Sequence, residues 1–164
     1  MVNVRRAVPA DGEAVRRILF SSLCEYGIPA DPTGADAEVM VFGEPTGTGA
    51  VYLVAEEGGE VVGSAALVPH HGKGSKGPRL TTLCVRPDRR GRGVGRELLR
   101  AAVRGAAEAG HEEIFLAVRP VCREAVSLFE AEGWLRGPDQ AGQGPERLYS
   151  LPLHRHRTAE LSRP

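Results

Sequence analysis

The residue types best suited to chemistry lie in one short glycine- and arginine-rich segment. It reads Arg90-Gly91-Arg92-Gly93-Val94-Gly95-Arg96 and follows an apolar run that ends at Val85. Glycines let a backbone approach a ligand closely, and the first N–H groups of a helix have no partner within it. Together with the positive end of the helix dipole and the arginine side chains, these groups attract anions such as phosphate. The segment therefore predicts a phosphate-binding turn between a strand and a helix.

Two other phosphate-binding patterns fit the sequence less well. A P-loop requires Gly-x4-Gly-Lys-Ser/Thr, and Gly72-Lys73-Gly74-Ser75 lacks the upstream glycine. A dinucleotide fingerprint requires Gly-x-Gly-x-x-Gly, but Arg96 stands where the third glycine belongs. The pattern that fits is Arg/Gln-x-x-Gly-x-Gly/Ala, which runs here from Arg90 to Gly95.

Composition and charge exclude several classes of protein. The chain has 164 residues, of which 41% are hydrophobic and 26% are charged, as in an ordinary globular domain. Its 21 basic and 21 acidic residues cancel, which argues against a general polyanion binder. No apolar run reaches the roughly 18 residues of a membrane span, and the start lacks the apolar core of a signal peptide. Cys24, Cys84 and Cys122 lack metal-ligand spacing, so we expect reduced thiols, no metal and a cytoplasmic location.

Charge is unevenly distributed along the chain. Residues 25–60 include eight acidic residues and no Lys or Arg, whereas residues 86–104 include seven arginines. One interpretation is two solvated surfaces of opposite sign. The other is a site that attracts an anion at one end and a cation at the other.

Hydrophobic periodicity and turn signals predict one α/β domain over residues 1–153, followed by a polar, poorly ordered tail at 154–164. A hairpin is expected at Gly58-Gly59, between two apolar, β-branched runs. The predicted strands are 2–7, 50–57, 60–68, 80–85, 114–118, one that opens at Gly133-Trp134, and 148–153. The predicted helices are 10–26, 94–108 and 122–132, with a short one at 35–42.

In this order of elements the sequence resembles the GCN5-related N-acetyltransferase (GNAT) superfamily. The resemblance rests on Val85-x-Pro87, the turn that follows, and Glu124-Ala125-Val126-Ser127-Leu128-Phe129-Glu130 before Gly133-Trp134, and it spans residues 2–153. It implies an α/β (α+β) fold with a mixed, mostly antiparallel sheet of about seven strands and about four flanking helices, splayed between the 80–86 and 113–118 strands. It also implies direct transfer of an acetyl group from acetyl-CoA to a primary amine of a small molecule, protein or peptide, and it suggests a homodimer.

The resemblance places acetyl-CoA in the splay. The pantetheine arm would pair like an extra strand with backbone groups of Leu83, Cys84 and Val85, and the pyrophosphate would lie on the N–H groups from Gly91 to Arg96. The cofactor-binding residues that it implies are Leu83, Cys84, Val85, Arg90, Gly91, Arg92, Gly93, Val94, Gly95, Arg96, Cys122 and Phe129.

The catalytic residues stay open. Several family members carry Glu, Asn and Tyr at positions that hold Ala117, Cys122 and Phe129 here. A base must still take the ammonium proton, because a protonated amine has no lone pair. The acidic segment favours a cationic acceptor. The candidate bases and acids are Glu38, Asp36, His70, His71 and Tyr149.

Two other functions also stay open at this point. The missing Glu, Asn and Tyr are compatible with an acyl-CoA-binding sensor or regulatory domain of reduced activity. An arginine-rich RNA-binding module is the third interpretation. An aromatic content of 5% and zero net charge argue against nucleic acid as the partner, because base stacking requires aromatic side chains.

Overall fold

The centre of the molecule is a sheet with the strand order β1-β2-β3-β4-β5-β7-β6. The computed structural model describes residues 1–70, 77–138 and 146–153. Its strands are β1 (Asn3–Arg6), β2 (Val51–Glu57), β3 (Glu60–Val68), β4 (Arg79–Val85), β5 (Glu113–Val118), β6 (Leu135–Arg136) and β7 (Arg147–Pro152). Its helices are α1 (Gly12–Glu25), α2 (Ala37–Met40), α3 (Val94–Glu108) and α4 (Arg123–Ala131). All neighbouring strands are antiparallel except β4 and β5, which confirms the predicted mixed sheet.

The hairpin between β2 and β3 forms at the predicted glycines. Gly58 and Gly59 have φ angles of +60° and +83°, and Glu57 pairs with Glu60 across the turn. A two-residue hairpin loop of this kind requires two positive φ angles, which glycine adopts at little cost. The local sequence therefore determines the register at this end of the sheet.

The strands β4 and β5 diverge almost as soon as they pair. Their register holds one pair, Arg79 with Phe115, and the Phe115 N–H donates to the Pro78 carbonyl at 3.2 Å. From there β4 pairs only with β3 and β5 only with β7. The sheet is therefore splayed between these strands, as the resemblance implied.

The two faces of the sheet carry different helices. The larger apolar cluster joins α3 and α4 to one face and includes Leu98, Leu99, Phe129, Trp134 and Tyr149. The smaller cluster joins α1 and α2 to the opposite face. The end of α1 and the start of α4 consequently approach the splay from opposite sides of the sheet.

The segment after α4 differs from the prediction. Gly133 and Trp134 were expected to open a strand, but Gly133 has a φ of +84° and lies one residue beyond Glu132, the residue that follows α4. Trp134 is buried against Phe129, with ring centroids 5.7 Å apart, and the strand itself is Leu135–Arg136. A glycine in the left-handed region is the common helix stop, which explains the shift. The predicted tail at 154–164 and His71 lie outside the described residues.

A buried carboxylate ties the start of the chain to the start of α1. The Asp11 carboxylate accepts hydrogen bonds from both terminal nitrogens of Arg5, at 2.8 and 3.0 Å, and from the Val8 N–H at 2.8 Å. The Arg5 side chain also pairs with Glu56 on β2 at 2.7 Å. The Arg5 guanidinium holds the pKa of the Asp11 carboxyl below its ordinary value. Because this pKa is lowered on folding, the carboxylate stabilises the protein above about pH 4 and loses that contribution as the pH falls.

Replacing Asp11 with Asn is therefore expected to lower the free energy of unfolding by about 2 kcal/mol at pH 7. The difference between Asp11→Asn and the wild type should shrink below pH 4, where the wild-type carboxyl becomes protonated. Urea unfolding of the wild type and of Asp11→Asn at pH 7 and pH 3 measures this difference in the free energy of unfolding. Glu13→Gln is the control, because its ion pair with Arg17 at 3.1 Å is exposed and such pairs contribute little. An equal loss of stability in Asp11→Asn at both pH values would contradict the stabilising role of the ionised Asp11 carboxylate.

Candidate functional site

A cleft of about 590 Å³ lies at the splay between β4 and β5. Its walls are formed by the last turns of α1, residues 80–85 of β4, the end of β5 and the first turns of α4. Gly91, Gly93, Val94, Gly95 and Arg96 close one end of it. The volume is in the range of small-molecule and cofactor sites.

One wall of the cleft contains a β-bulge in β4. Ser64 of β3 pairs with Cys84, but Ala66 pairs with Thr81, so Thr82 and Leu83 together face the single residue Ala65. Thr82 has a φ of +55°, a strained conformation for a β-branched residue. The Ser64 hydroxyl donates to the Thr82 carbonyl at 2.8 Å and holds the bulge in place. The extra residue lies outside the ladder with β3 and bends β4 at the point where it borders the cleft.

The glycine-rich turn leads into α3 as the sequence predicted. Gly91 and Gly93 have φ angles of +76° and +82°, and a Cβ added at either position would meet no heavy atom within 4 Å. The Glu97 N–H donates to the Gly93 carbonyl at 3.0 Å, which begins the hydrogen bonding of α3. The N–H groups before Glu97 therefore have no partner within the helix. The end of the cleft at these residues is thus an open, electropositive backbone surface.

Several arginines of the basic segment pair with carboxylates of the acidic segment. Arg86 pairs with Glu60 at 3.1 Å, and Arg89 pairs with Glu57 at 3.3 Å. The Arg90 side chain binds Glu25 at 2.8 Å. It also donates to Ser22 on α1 and to the Val85 carbonyl, each at 3.1 Å. The Arg90 guanidinium therefore joins the turn to the end of α1.

The predicted cofactor-binding residues lie together with one exception. All of them line the cleft apart from Arg92, whose side chain is exposed. Cys84 and Phe129 are buried, and burial raises the pKa of the Cys84 thiol to about 11. Burial also raises the pKa of the half-exposed Cys122 thiol. Both thiols are therefore protonated at neutral pH.

Four of the candidate bases and acids, Glu38, Asp36, His70 and Tyr149, are described by the structure and lie away from the cleft lining. The Glu38 carboxylate accepts from the Tyr52 hydroxyl at 2.8 Å, and the Asp36 carboxylate accepts from the Asp31 N–H at 2.7 Å. The His70 ring contacts the Phe115 ring edge-on, with centroids 4.8 Å apart. Tyr149 belongs to the larger apolar cluster, and its hydroxyl donates to the exposed Glu130 at 2.8 Å.

Sequence reasoning missed two polar residues that line the cleft, Tyr26 and Glu124. The Tyr26 hydroxyl donates to a Glu124 carboxylate oxygen at 2.7 Å, which joins the end of α1 to the start of α4. Burial and the neighbouring carboxylate raise the pKa of Tyr26 to about 12. The hydrogen bond from Tyr26 lowers the pKa of Glu124 below its ordinary value. The residues are 98 positions apart, so no local pattern could reveal the contact.

The residues that the structure describes contain neither a metal-binding cluster nor a membrane-spanning helix. Within 1–70, 77–138 and 146–153, no group of three or more His, Cys, Asp or Glu side chains could hold a metal ion. In the same ranges, no helix is long and apolar enough to cross a membrane.

The arrangement fits a long ligand with phosphates at one end and an extended arm at the other. The open glycines and the free N–H groups of α3 suit a pyrophosphate, and the bulged edge of β4 suits an arm that pairs with backbone groups. Coenzyme A has this shape and chemistry. The splayed sheet and the cleft define the class of enzymes that transfer acyl groups from coenzyme A.

Comparisons with known proteins assign the chain to a family within that class. A sequence model of the acetyltransferase (GNAT) family matches residues 17–134. The N-acetyltransferase YjgM of Escherichia coli (strain K12) is 31% identical over 137 residues, which cover 80% of each chain. An acetyltransferase of the GNAT family from Staphylococcus aureus Mu50 superposes with a TM-score of 0.78 at 15% identity, covering 93% of this chain and 99% of that one. The acetyltransferase yncA of Salmonella typhimurium, solved with acetyl-CoA, superposes with a TM-score of 0.75 at 20% identity, covering 94% and 95%.

The chain belongs to the acetyltransferase (GNAT) family. It is an acyltransferase, and acetyl-CoA is its co-substrate. The predicted family and fold are thereby confirmed.

Proposed function

We propose that this acetyltransferase transfers the acetyl group of acetyl-CoA directly to a primary amine, either of a small molecule or of a peptide or protein. The divergence of β4 and β5 after the single pair Arg79–Phe115 is the observation that carries the proposal. It leaves one edge of β4 beside a cleft that ends on the N-terminus of α3. A thioester arm in that cleft would lie beside the bulge, with an acceptor able to reach it through the splay.

The residues of this chain have distinct tasks in the proposed reaction. The N–H groups from Gly91 to Arg96 would bind the pyrophosphate, and backbone groups of Leu83 to Val85 would orient the arm. Bound acetyl-CoA supplies an activated acetyl group. Backbone N–H groups at the bulge would stabilise the oxyanion that forms when the amine attacks. Phe129 and Leu128 line the cleft with apolar surface, which excludes water from the thioester.

A cationic acceptor is favoured by the carboxylate of the described cleft lining, because the lining arginines Arg89, Arg90 and Arg96 are each paired with a glutamate from outside the lining. Glu124 is the carboxylate among the lining side chains of the described residues, and its lowered pKa keeps it ionised at neutral pH. Further acidic side chains, Asp31 and Asp36, lie in the exposed segment after α1. An ammonium group entering from this side would meet negative potential before it loses its proton.

An acyl-CoA-binding sensor or regulatory domain of reduced catalytic activity is the second candidate function. It is favoured by Ala117, Cys122 and Phe129, which supply no carboxylate, amide or hydroxyl where several family members have them. A homodimer also remains a prediction. A cytoplasmic location is a further proposal, supported by three cysteines that form no disulfide.

Acetyl-CoA consumption in the presence of defined amines distinguishes the two functions. The purified protein is mixed with acetyl-CoA and, in separate reactions, spermidine, 2-phenylethylamine, a lysine-containing peptide or glutamate, and the released thiol is measured. We expect turnover with at least one cationic amine and little with glutamate. Binding of acetyl-CoA without thiol release for any amine would favour the regulatory function. Activity confined to glutamate would contradict the cationic acceptor.

A further inference from the structure

Each of the three tyrosines of this chain donates a hydrogen bond to a glutamate. Tyr26 donates to Glu124 at 2.7 Å, Tyr52 donates to Glu38 at 2.8 Å, and Tyr149 donates to Glu130 at 2.8 Å. Tyr52 and Tyr149 belong to the two apolar clusters, and both are buried. Only the first of these pairs lines the cleft.

The other titratable side chains that line the described cleft are poor candidates for proton transfer. Arg89, Arg90 and Arg96 carry guanidinium groups, which donate hydrogen bonds but have no lone pair to accept a proton. The Cys84 and Cys122 thiols are held in the protonated form by burial, so neither can accept a proton. Glu124 therefore remains as the lining side chain that can accept a proton, and Tyr26 as the hydroxyl bonded to it.

The pair also bridges the two sides of the cleft. Tyr26 directly follows α1, and Glu124 lies in the first turn of α4. The turn of α1 that precedes Tyr26 is held in place, because Glu25 binds Arg90 of the phosphate-binding turn at 2.8 Å. The hydroxyl and the carboxylate thus lie on the cleft lining and join the end of α1 to the start of α4.

We propose that Glu124 is the general base and Tyr26 the general acid of the acetyl transfer, in place of the family positions occupied by Ala117 and Phe129. This assignment rests on the proposed function. It replaces Glu38, His70 and Tyr149 as the first residues to test, because those side chains lie outside the cleft lining.

The proposed steps balance in atoms and charge. The acceptor first loses its ammonium proton to water, so that its nitrogen has a lone pair. Glu124 takes a second proton from that nitrogen while the nitrogen bonds to the carbonyl carbon of the acetyl group. Tyr26 gives its hydroxyl proton to the CoA sulfur as the carbon–sulfur bond breaks. Glu124 then returns its proton to the Tyr26 oxygen along their hydrogen bond. The products are the amide and the CoA thiol, and one proton has moved from nitrogen to sulfur.

The charges around the pair suit these roles. The hydrogen bond from Tyr26 lowers the pKa of Glu124, and Arg90 and Arg123 act in the same direction, so the base is ionised before the amine arrives. Burial raises the pKa of Tyr26, as do the carboxylate of Glu124 and, to a smaller extent, the nearby Cys122 thiol. Arg90 acts against this rise but is itself paired with Glu25. Once Glu124 has taken the proton of the amine, its charge no longer raises the pKa of Tyr26. The Tyr26 hydroxyl then gives its proton to the departing thiolate as Glu124 returns a proton to the Tyr26 oxygen.

The test uses Tyr26→Phe and Glu124→Gln with acetyl-CoA and the amine that the wild type acetylates fastest. Each substitution is expected to lower kcat about 100-fold, the usual contribution of a positioned acid or base. The Kd of acetyl-CoA, measured by calorimetry, should change less than twofold. The double variant should be no slower than the slower single variant, because the two residues act as one unit. Glu124→Ala should regain activity in added sodium formate, which a purely structural role would not allow.

Tyr52→Phe is the matched control, since it removes the same kind of hydrogen bond outside the cleft, and its kcat should stay within twofold of the wild type. A 100-fold loss in Tyr149→Phe with full activity in Tyr26→Phe would overturn the assignment in favour of Tyr149. Loss of activity in Glu124→Ala without rescue by formate would overturn the role of Glu124 as base. A wild type that turns over no amine overturns the proposed function itself, whereas turnover that survives both substitutions overturns only this pair.

Discussion

Acetyl-CoA is expected to raise the thermal stability of the wild-type protein and to have no effect on Gly93→Glu. Gly93 directly precedes α3 with a φ of +82°, and space around it is open. A glutamate there would place a negative charge beside the N–H groups that are proposed to bind the pyrophosphate. At about 100 times its Kd, a ligand adds roughly 2.7 kcal/mol of stability, and this contribution should disappear. A thermal-shift titration with acetyl-CoA, free CoA and ATP measures it.

The control for this variant is Gly110→Glu. Gly110 follows the other end of α3, has a φ of +85° and likewise has no heavy atom within 4 Å of an added Cβ. Gly110→Glu therefore adds the same side chain at a similarly strained glycine, and it should lower the starting stability without removing the response to acetyl-CoA. Equal responses in the wild type and Gly93→Glu would contradict the placement of the phosphates. Equal loss in both variants would indicate damage to the fold instead.

Replacing Gly63 with Val is expected to lower the free energy of unfolding by about 2 to 3 kcal/mol, because the packing of α3 on the sheet leaves no room for a side chain. A Cβ added at Gly63 would lie 2.9 Å from Leu98 Cδ1 and 3.0 Å from the Cys84 carbonyl oxygen. The carbonyl belongs to β4 and cannot turn aside without disturbing the edge of the cleft. Urea unfolding of Gly63→Val measures the loss.

The matched variant is Gly105→Ala, which changes a glycine on the exposed side of α3. An added Cβ at Gly105 meets nothing within 4 Å. Alanine in a helix interior is favoured over glycine by roughly 1 kcal/mol, so Gly105→Ala should increase the free energy of unfolding. The free energy of unfolding is thus expected to fall in Gly63→Val and to rise in Gly105→Ala. This difference separates the effect of close packing from the effect of glycine on helix stability. A stability loss of less than 0.5 kcal/mol in Gly63→Val would show that α3 can move away from β3 at little cost, contrary to this expectation.

Local signals were sufficient for most elements of the fold. α3 has the predicted bounds, 94–108, and β3 has the predicted bounds, 60–68. Glycines with a positive φ lie at both ends of α3, at Gly93 and Gly110, and before the start of β3, at Gly58 and Gly59. The observed bounds differ more from the predicted ones where the end of an element depends on packing. Trp134, for example, is buried against Phe129 rather than paired in a strand.

The side-chain partners in the site could not be predicted in the same way. Arg90 was expected to add charge around a phosphate, but its guanidinium binds Glu25, which is 65 residues away. Tyr149 was considered as an acid, but its hydroxyl binds Glu130. In both cases the partner is a carboxylate that the folded chain brings near. A sequence shows that a residue can donate a hydrogen bond, but only the fold shows which acceptor is within reach.

Contacts between near neighbours and ordered motifs were sufficient to predict the order of helices and strands, the glycine-rich turn before α3 and the family. Tertiary structure decided which polar side chains face the cleft. Tyr26 and Glu124 meet there because α1 and α4 approach the same splay from opposite faces of the sheet. The distance between two such groups depends on how whole elements pack. The order of residues along the chain does not show this distance directly.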